Sequence, residues 1–147
     1  MLSLIDSNVL IRAHDASPSP YSAAAVKMLA GLAEGGTGVL STQSLAEFAH
    51  HAVVEFRLDP ALVKAQVRRL ATVFPVLPIT DKVILRALNV MATQPIGFYD
   101  AQVWALARMN GIQQVVTEGL WHKQVREKVR YYDLVQQAPT MGWQPHW

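Results

Sequence analysis

The chain has no cysteine, which excludes disulfide scaffolds and zinc–thiolate centres alike. Charge is sparse: 16% of the residues are charged, and a net charge of +2 with a pI near 9.1 is too slight to announce a polyanionic partner. No run approaches the roughly 18 to 20 apolar residues that cross a bilayer. The start, Met1-Leu-Ser-Leu-Ile-Asp, lacks the basic segment and cleavage pattern of a secretory signal, so the expectation is a cytoplasmic protein without membrane contact. A Gly-x-x-x-x-Gly-Lys phosphate loop, a Gly-x-Gly-x-x-Gly fingerprint and a Gly-x-Ser-x-Gly elbow are all missing. With cysteine absent as well, mononucleotide, dinucleotide and covalent-nucleophile chemistry have little support.

Apolar material is plentiful. At 147 residues and 51% hydrophobic, the composition predicts one domain over 1–147 with a sizeable core. Short apolar runs alternate with helical patterns. Leu2 to Ile5, Val39 to Ser41, Phe74 to Ile79, Gln114 to Thr117 and Val129 to Val135 read as strands. Pro75 and Pro78 push the third of these to a sheet edge. Ser7 or Asn8 is expected to cap a short helix to Ala13, Thr42 or Ser44 a helix through Phe56, Asp59-Pro60 a third, and Thr80 or Asp81 a fourth to Met91. Further helices are expected over Tyr21 to Glu34, ended by Gly35-Gly36, and over Tyr99 to Asn110, ended by Gly111. Strands alternating with helices predict a parallel sheet covered on both faces. The stretch 136–147 has prolines and two tryptophans but no period, and reads as an irregular tail.

Against this background four acids stand out: Asp6, Glu47, Asp100 and Glu118, each where an apolar run ends or a helix begins. In an open α/β sheet such positions converge on the crevice at the carboxyl ends of the strands. Gathered carboxylates repel one another by about 3 kcal/mol per pair at 5 Å and an effective dielectric near 20. A hard cation, Mg²⁺ or Mn²⁺, would relieve that repulsion. Each acid also has a structural alternative. Asp6 could cap a helix, Glu47 could complete a capping box with Thr42 or Ser44, and Asp100 could complement a helix dipole. The apolar neighbours of Asp100 (Phe98, Tyr99, Val103, Trp104) predict a buried position, where a lone Asp needs a partner or a metal. Glu47 with His50 and His51 does not reproduce the His-Glu-x-x-His metalloprotease motif, and the histidines read as surface or supporting residues. Two basic stretches, Lys64 with Arg68 and Arg69, and Lys123, Arg126, Lys128 and Arg130, would suit the rim of a phosphodiester site; as solvated helix faces they are equally explained.

Four fragments in order, Leu4-Ile-Asp-Ser-Asn-Val-Leu-Ile, Thr42-Gln-Ser-Leu-Ala-Glu-Phe, Gly97-Phe-Tyr-Asp-Ala-Gln-Val-Trp-Ala-Leu-Ala and Val115-Val-Thr-Glu, together resemble the PIN-domain nucleases, in particular the VapC-like toxin ribonucleases of toxin–antitoxin pairs. The resemblance covers Met1 to about Val135. It implies a three-layer sandwich with a five-stranded parallel sheet in the order 3-2-1-4-5, Mg²⁺- or Mn²⁺-dependent RNA cleavage, homodimerisation and inhibition by a small antitoxin. It carries metal-ligating and catalytic roles onto Asp6, Glu47 and Asp100. Asn8 and Thr117 then become supporting groups, and Arg12 with the 123–130 stretch become phosphate contacts. One departure stands out: the family's last motif usually ends in Asp, and here it reads Thr117-Glu118-Gly119. Glu118 is a fourth ligand only if the strand has ended and its side chain turns inward. A catalytically weak or inactive PIN domain acting as an RNA- or protein-binding module is the alternative that Gly119 motivates. A receiver-like phosphoryl-transfer domain fits worse, because no late-strand Lys follows the pattern. The RNA target, the antitoxin and the number of metals are not written in the chain.

Overall fold

The computed structural model describes residues 1–17, 19–118, 125–126 and 128–134. Gly119, Lys123 and the 136–147 tail, and with them the expectations placed there, lie outside the described residues. In chain order the elements are β1 (Ser3–Ile5), α1 (Ser7–Ala13), α2 (Pro20–Gly35), β2 (Gly38–Ser41), α3 (Thr42–Val54), α4 (Pro60–Val73), β3 (Val76–Leu77), α5 (Asp81–Met91), α6 (Phe98–Met109), β4 (Gln114–Thr117), β5 (Val125–Arg126) and β6 (Val129–Asp133).

Five strands are mutually parallel in the expected order, β3-β2-β1-β4-β6. The expected sheet lacked one feature: β5, a two-residue strand that pairs antiparallel with β6 and extends that edge. At the opposite edge β3 is shorter than expected. Pro75 and Pro78 bracket it, and neither can donate to a ladder; the Pro75 carbonyl instead accepts from Leu40 N at 2.8 Å. Phe74, read as the start of that strand, is the C-cap of α4.

The sheet divides two cores because successive strand residues point to opposite faces. Leu4, Val39, Val115, Val129 and Tyr131 pack against α5 and α6 through Val83, Ala87, Val90 and Trp104. Ile5, Leu40, Val116 and Leu134 pack the other way against Val9 and Leu10 of α1, Ala24 and Ala25 of α2, Leu45 and Phe48 of α3, and Leu70 of α4. The result is a three-layer α/β sandwich. Both faces of the central strands are covered, which is why they read as continuous apolar runs rather than alternating ones. Gly38 admits the Phe74 ring: a Cβ there would lie 2.6 Å from Phe74 Cε1. Gly36, at φ 63°, closes α2 in the left-handed conformation that glycine adopts without strain.

All the helix starts but that of α6 carry side-chain caps, and two of these differ from expectation. Asp59 caps α4 with Pro60 in its first turn, and Thr80 caps α5, as read. For α1 the cap is Asp6 rather than Ser7 or Asn8. For α3 it is Ser41, whose Oγ accepts from Ser44 N at 2.9 Å while Ser44 Oγ accepts from Ser41 N at 3.0 Å. This reciprocal box uses serine where glutamate is more familiar, and it leaves Glu47 outside the cap. No helix among the described residues is long and apolar enough to cross a membrane.

Candidate functional site

Chain order reverses across the sheet at β1, which has β2 on one side and β4 on the other. The crevice beyond the carboxyl ends of β1 and β4 is therefore the switch point where α/β folds place ligands. Asp6 leaves β1 directly into that crevice. Its amide donates to Val116 O at 2.9 Å, its Oδ1 accepts from Ser7 N at 2.8 Å, and its Oδ2 accepts from Thr117 Oγ1 at 3.0 Å. One carboxylate thus caps α1 and joins β1 to β4, so the capping and functional readings of Asp6 are compatible.

Asn8, in the first turn of α1, completes the join. Its Nδ2 donates to Thr117 Oγ1 at 3.1 Å and to Glu118 O at 3.0 Å, and its Oδ1 accepts from Glu118 N at 3.1 Å. The amide satisfies the backbone just where β4 ends, a role that needs a donor and an acceptor on one planar group.

Glu47 is half-buried in the second turn of α3. Its Oε2 accepts from Ser7 Oγ at 2.5 Å and its Oε1 from Gln43 Nε2 at 2.9 Å. Gln43 Nε2 also reaches Tyr99 O at 3.3 Å, and Gln43 Oε1 accepts from Gln102 Nε2 at 2.6 Å. A chain of buried amides therefore links α3 to α6. Asp100 lies in the first turn of α6, whose N-cap Gly97 supplies no side-chain bond, so its charge complements the helix dipole. It is exposed, contrary to the burial that its apolar neighbours predicted. Val103 and Trp104, one turn on at i+3 and i+4, are buried and Phe98 is half-buried, but Tyr99 is exposed together with Asp100 in the open first turn of α6.

The electrostatics centre on Asp6. Its carboxyl is raised from 3.8 to about 6. Burial, which penalises the charged form, is the main cause; the bonds from Ser7 N and Thr117 oppose it, and the charges of Glu47 and Asp100 add to it. These three acids thus share one field. They are not drawn into contact, however: among the described residues no three His, Asp or Glu side chains are gathered closely enough to hold a metal ion as they stand. The donor chemistry fits a hard divalent cation, since the set is all-oxygen and Asp6 carries an uncompensated charge penalty. Asp6, Glu47 and Asp100 are the residues that could hold one, with water completing the shell.

Glu118 is turned elsewhere. Arg12 Nε donates to its Oε2 at 3.0 Å and Arg12 Nη2 to its Oε1 at 2.6 Å, a bidentate pair. The same guanidinium lies 5.3 Å from the Tyr21 ring centroid. Both Glu118, read as a fourth ligand, and Arg12, read as a phosphate contact, are committed to each other in this arrangement. His50 is exposed, and His51 is half-buried with its ring edge-on to Phe56 at 4.7 Å. Lys64, Arg68, Arg69, Lys128 and Arg130 are exposed.

Sequence reading missed Ser7, Gln43 and Gln102. Gln43 was findable, because it precedes Glu47 by four residues, the spacing at which helix side chains meet. No local signal marks Gln102 or the Ser7 hydroxyl, whose partners lie 59 and 40 residues away.

Comparison with known proteins agrees with this architecture. A search of curated protein sequences finds no match. Among solved structures, the sarcin–ricin loop cleaving toxin VapC20 of Mycobacterium tuberculosis is similar at TM-score 0.64 and 22% identity, over 77% of this chain and 86% of that one. A chain of the DNA-bound VapBC of Salmonella typhimurium is similar at TM-score 0.66 and 21% identity, over 91% and 99% of the two chains. FitAcB from Neisseria gonorrhoeae gives TM-score 0.63 at 17% identity, over 90% and 98%. Likeness at these identities speaks for the fold. The PIN domain family model matches residues 3–128, a span that takes in Asp6, Glu47, Asp100 and the joined ends of β1 and β4, and the chain belongs to the PIN domain family.

Proposed function

We propose that this PIN domain is a metal-dependent endoribonuclease of the VapC-like toxin type, hydrolysing RNA phosphodiester bonds in the cytoplasm, working as a homodimer and held in check by a cognate antitoxin. One observation carries the reading: a half-buried, charge-burdened Asp6 at the switch point of a PIN fold, in the field of Glu47 and Asp100. A perturbed carboxyl in such a crevice is a functional-site signature with a physical cause. Similar structures described as a loop-cleaving toxin and as VapBC complexes support the RNA substrate and the antitoxin partner.

Asp6, Glu47 and Asp100 would hold Mg²⁺ or Mn²⁺. When bound, the cation supplies charge neutralisation at the phosphate and acidifies water for in-line attack. The remaining roles belong to the chain. Thr117 and Asn8 hold the Asp6 carboxylate and the end of β4 in place. Ser7 and Gln43 fix the Glu47 carboxylate by one bond to each oxygen. Such outer partners typically govern 10- to 100-fold in metal affinity or activity. Glu118, paired with Arg12, is left out of the cation set. Arg12 is available to a phosphate only by exchanging one anion for another.

The test is cleavage of a structured RNA pool with Mg²⁺, Mn²⁺ or EDTA, by the wild type and by Asp100→Asn purified in parallel. Metal-dependent cleavage lost in the variant supports the assignment, and cleavage that survives EDTA or the substitution sinks it. A second reading, a binding module without turnover, is favoured by Gly119 and by the open spacing of the acids. Metal binding without cleavage, together with activity gained by Gly119→Asp, would establish it.

A further inference from the structure

A cavity of about 890 Å³ opens between α3 and α6, with Gln43, Glu47, His50, Ile79, Tyr99 and Gln102 in its walls. Its volume lies within the range of small-molecule sites. Two features tie it to the acidic centre. Glu47 is common to both. Its neighbour Gln43 spans the cavity wall, donating to Glu47 Oε1 and Tyr99 O while accepting from Gln102. Both the NH₂ and the C=O of the Gln43 amide are thus engaged, which fixes its orientation in this wall. Tyr99 stands next in the chain to Asp100 and keeps 63% of its surface in solvent. Its ring is braced by Phe98 at 5.3 Å between centroids and 67° between planes.

A solitary exposed tyrosine needs no explanation. Here the exposed ring is mounted on a helix start, at a cavity, beside one acid and across from another. The chemistry of the walls decides what enters. Glu47 repels a phosphate, whereas an aromatic ring, an aliphatic side chain and amides suit a flat, neutral, polar-edged group. A second cleft of about 400 Å³, lined by Asn8, Arg12, Glu118 and Phe56, shares Ile11 and His51 with the first. The two clefts therefore adjoin at Ile11 of α1 and His51 of α3.

Resting on the ribonuclease reading above, we propose that the cavity between α3 and α6 receives an unpaired nucleobase flanking the scissile phosphate, with Tyr99 as its stacking face. Tyr99 is then a specificity-determining residue, because only a base turned out of its stack can enter the cavity and meet its ring.

The experiment uses a short single-stranded RNA carrying one cleavage site and the same RNA made abasic at the nucleotide flanking it. KM and kcat are measured with Mg²⁺ for the wild type, Tyr99→Ala and Tyr99→Trp. Stacking on an aromatic side chain predicts that Tyr99→Ala raises KM on the intact RNA by about 5- to 150-fold. The same substitution should do little further harm on the abasic RNA, since the shared contact is already gone, and Tyr99→Trp should restore affinity. An unchanged KM, or an equal loss on intact and abasic RNA, overturns the proposal. If the wild type cleaves neither RNA, the ribonuclease reading fails, and photocrosslinking of 4-thiouridine RNA to the wild type decides the cavity separately. A crosslink on the Tyr99 peptide supports the base site. Its absence overturns the site.

Discussion

Strands β1 and β4 lie side by side, and each is followed at its carboxyl end by an acid, yet the two acids meet opposite electrostatic fates. Glu118 is neutralised by a two-pronged bond to Arg12. Asp6, one strand over, has no cation among its hydrogen-bond partners in the described residues; it is half-buried, lies in the field of Glu47 and Asp100, and is pushed up to about 6. Among the described residues the fold thus places a cation where it steadies the end of β4 and none against Asp6, where the charge burden is greatest. On the reading proposed above, the cost of ionising Asp6 is offset by a bound cation, beyond its structural work of capping α1 and joining the strands.

The sharpest way to break this comparison is Asp6→Asn. Cleavage should fall by about 100-fold or more, beyond what outer partners of a metal usually command. The same variant should hold or raise stability near neutral pH in EDTA, because asparagine still caps α1 and carries no charge to desolvate. A rise in carboxyl pKa from 3.8 to about 6 corresponds to about 3 kcal/mol, at 1.4 kcal/mol per pH unit. A thermal melt of Asp6→Asn well below wild type at neutral pH would mean that Asp6 is structural, and the contrast with Glu118 would vanish.

The pH dependence follows from the same shift. Asp6 binds its proton more tightly in the folded chain than in the unfolded one, so its contribution to stability is fully present below about 3.8 and is lost as pH rises through about 6. In EDTA, the wild-type melting temperature should therefore fall relative to Asp6→Asn between about pH 4 and 7. Saturating Mg²⁺ should remove most of that fall by binding the ionised form. Parallel pH profiles for the two proteins would contradict the burial of charge at Asp6.

Asn8→Ala sharpens the comparison at intermediate size, since Asn8 serves both strand ends. Losing three hydrogen bonds, two of them to the Glu118 backbone, should lower stability by about 1 to 3 kcal/mol. Cleavage should drop by about 10-fold through loosened Thr117 and Asp6. The smallest effect belongs to Glu118→Gln. Its partner Arg12 is about one-third exposed, and after screening the pair is worth about 1 kcal/mol or less. Cleavage should change by no more than a few-fold. A loss in Glu118→Gln as deep as that in Asp6→Asn would make Glu118 a functional acid after all.

Much of the fold was legible because its causes are local. Apolar runs bounded by Gly, Pro and capping residues place the strands and helices within a residue or two, and Pro75 and Pro78 announce an edge strand. The shortfalls have specific reasons. Four polar residues in a row, Ser41-Thr-Gln-Ser, offer several caps, and only the backbone path shows that Ser41 is the one in extended conformation. The strand β5 carries too little sequence to have a pattern. Asp100 was misplaced as buried because its neighbours' apolarity does not show how open the first turn of α6 is. Glu118 could be read as facing either way, since its orientation depends on where β4 stops.

By itself, then, the sequence determined the order of elements, the two-sided core, and the three acids to be found near the carboxyl ends of the strands or the starts of helices; each follows from periodicity and capping over a few neighbouring residues. Tertiary structure alone decided which charge meets which. Ser7 reaches Glu47 across 40 residues, Arg12 reaches Glu118 across 106, and Thr117 reaches Asp6 across 111. The state of a carboxylate depends on what surrounds it in space, on desolvation and on charges a few ångströms away, and no local pattern encodes neighbours that arrive only when the sheet closes.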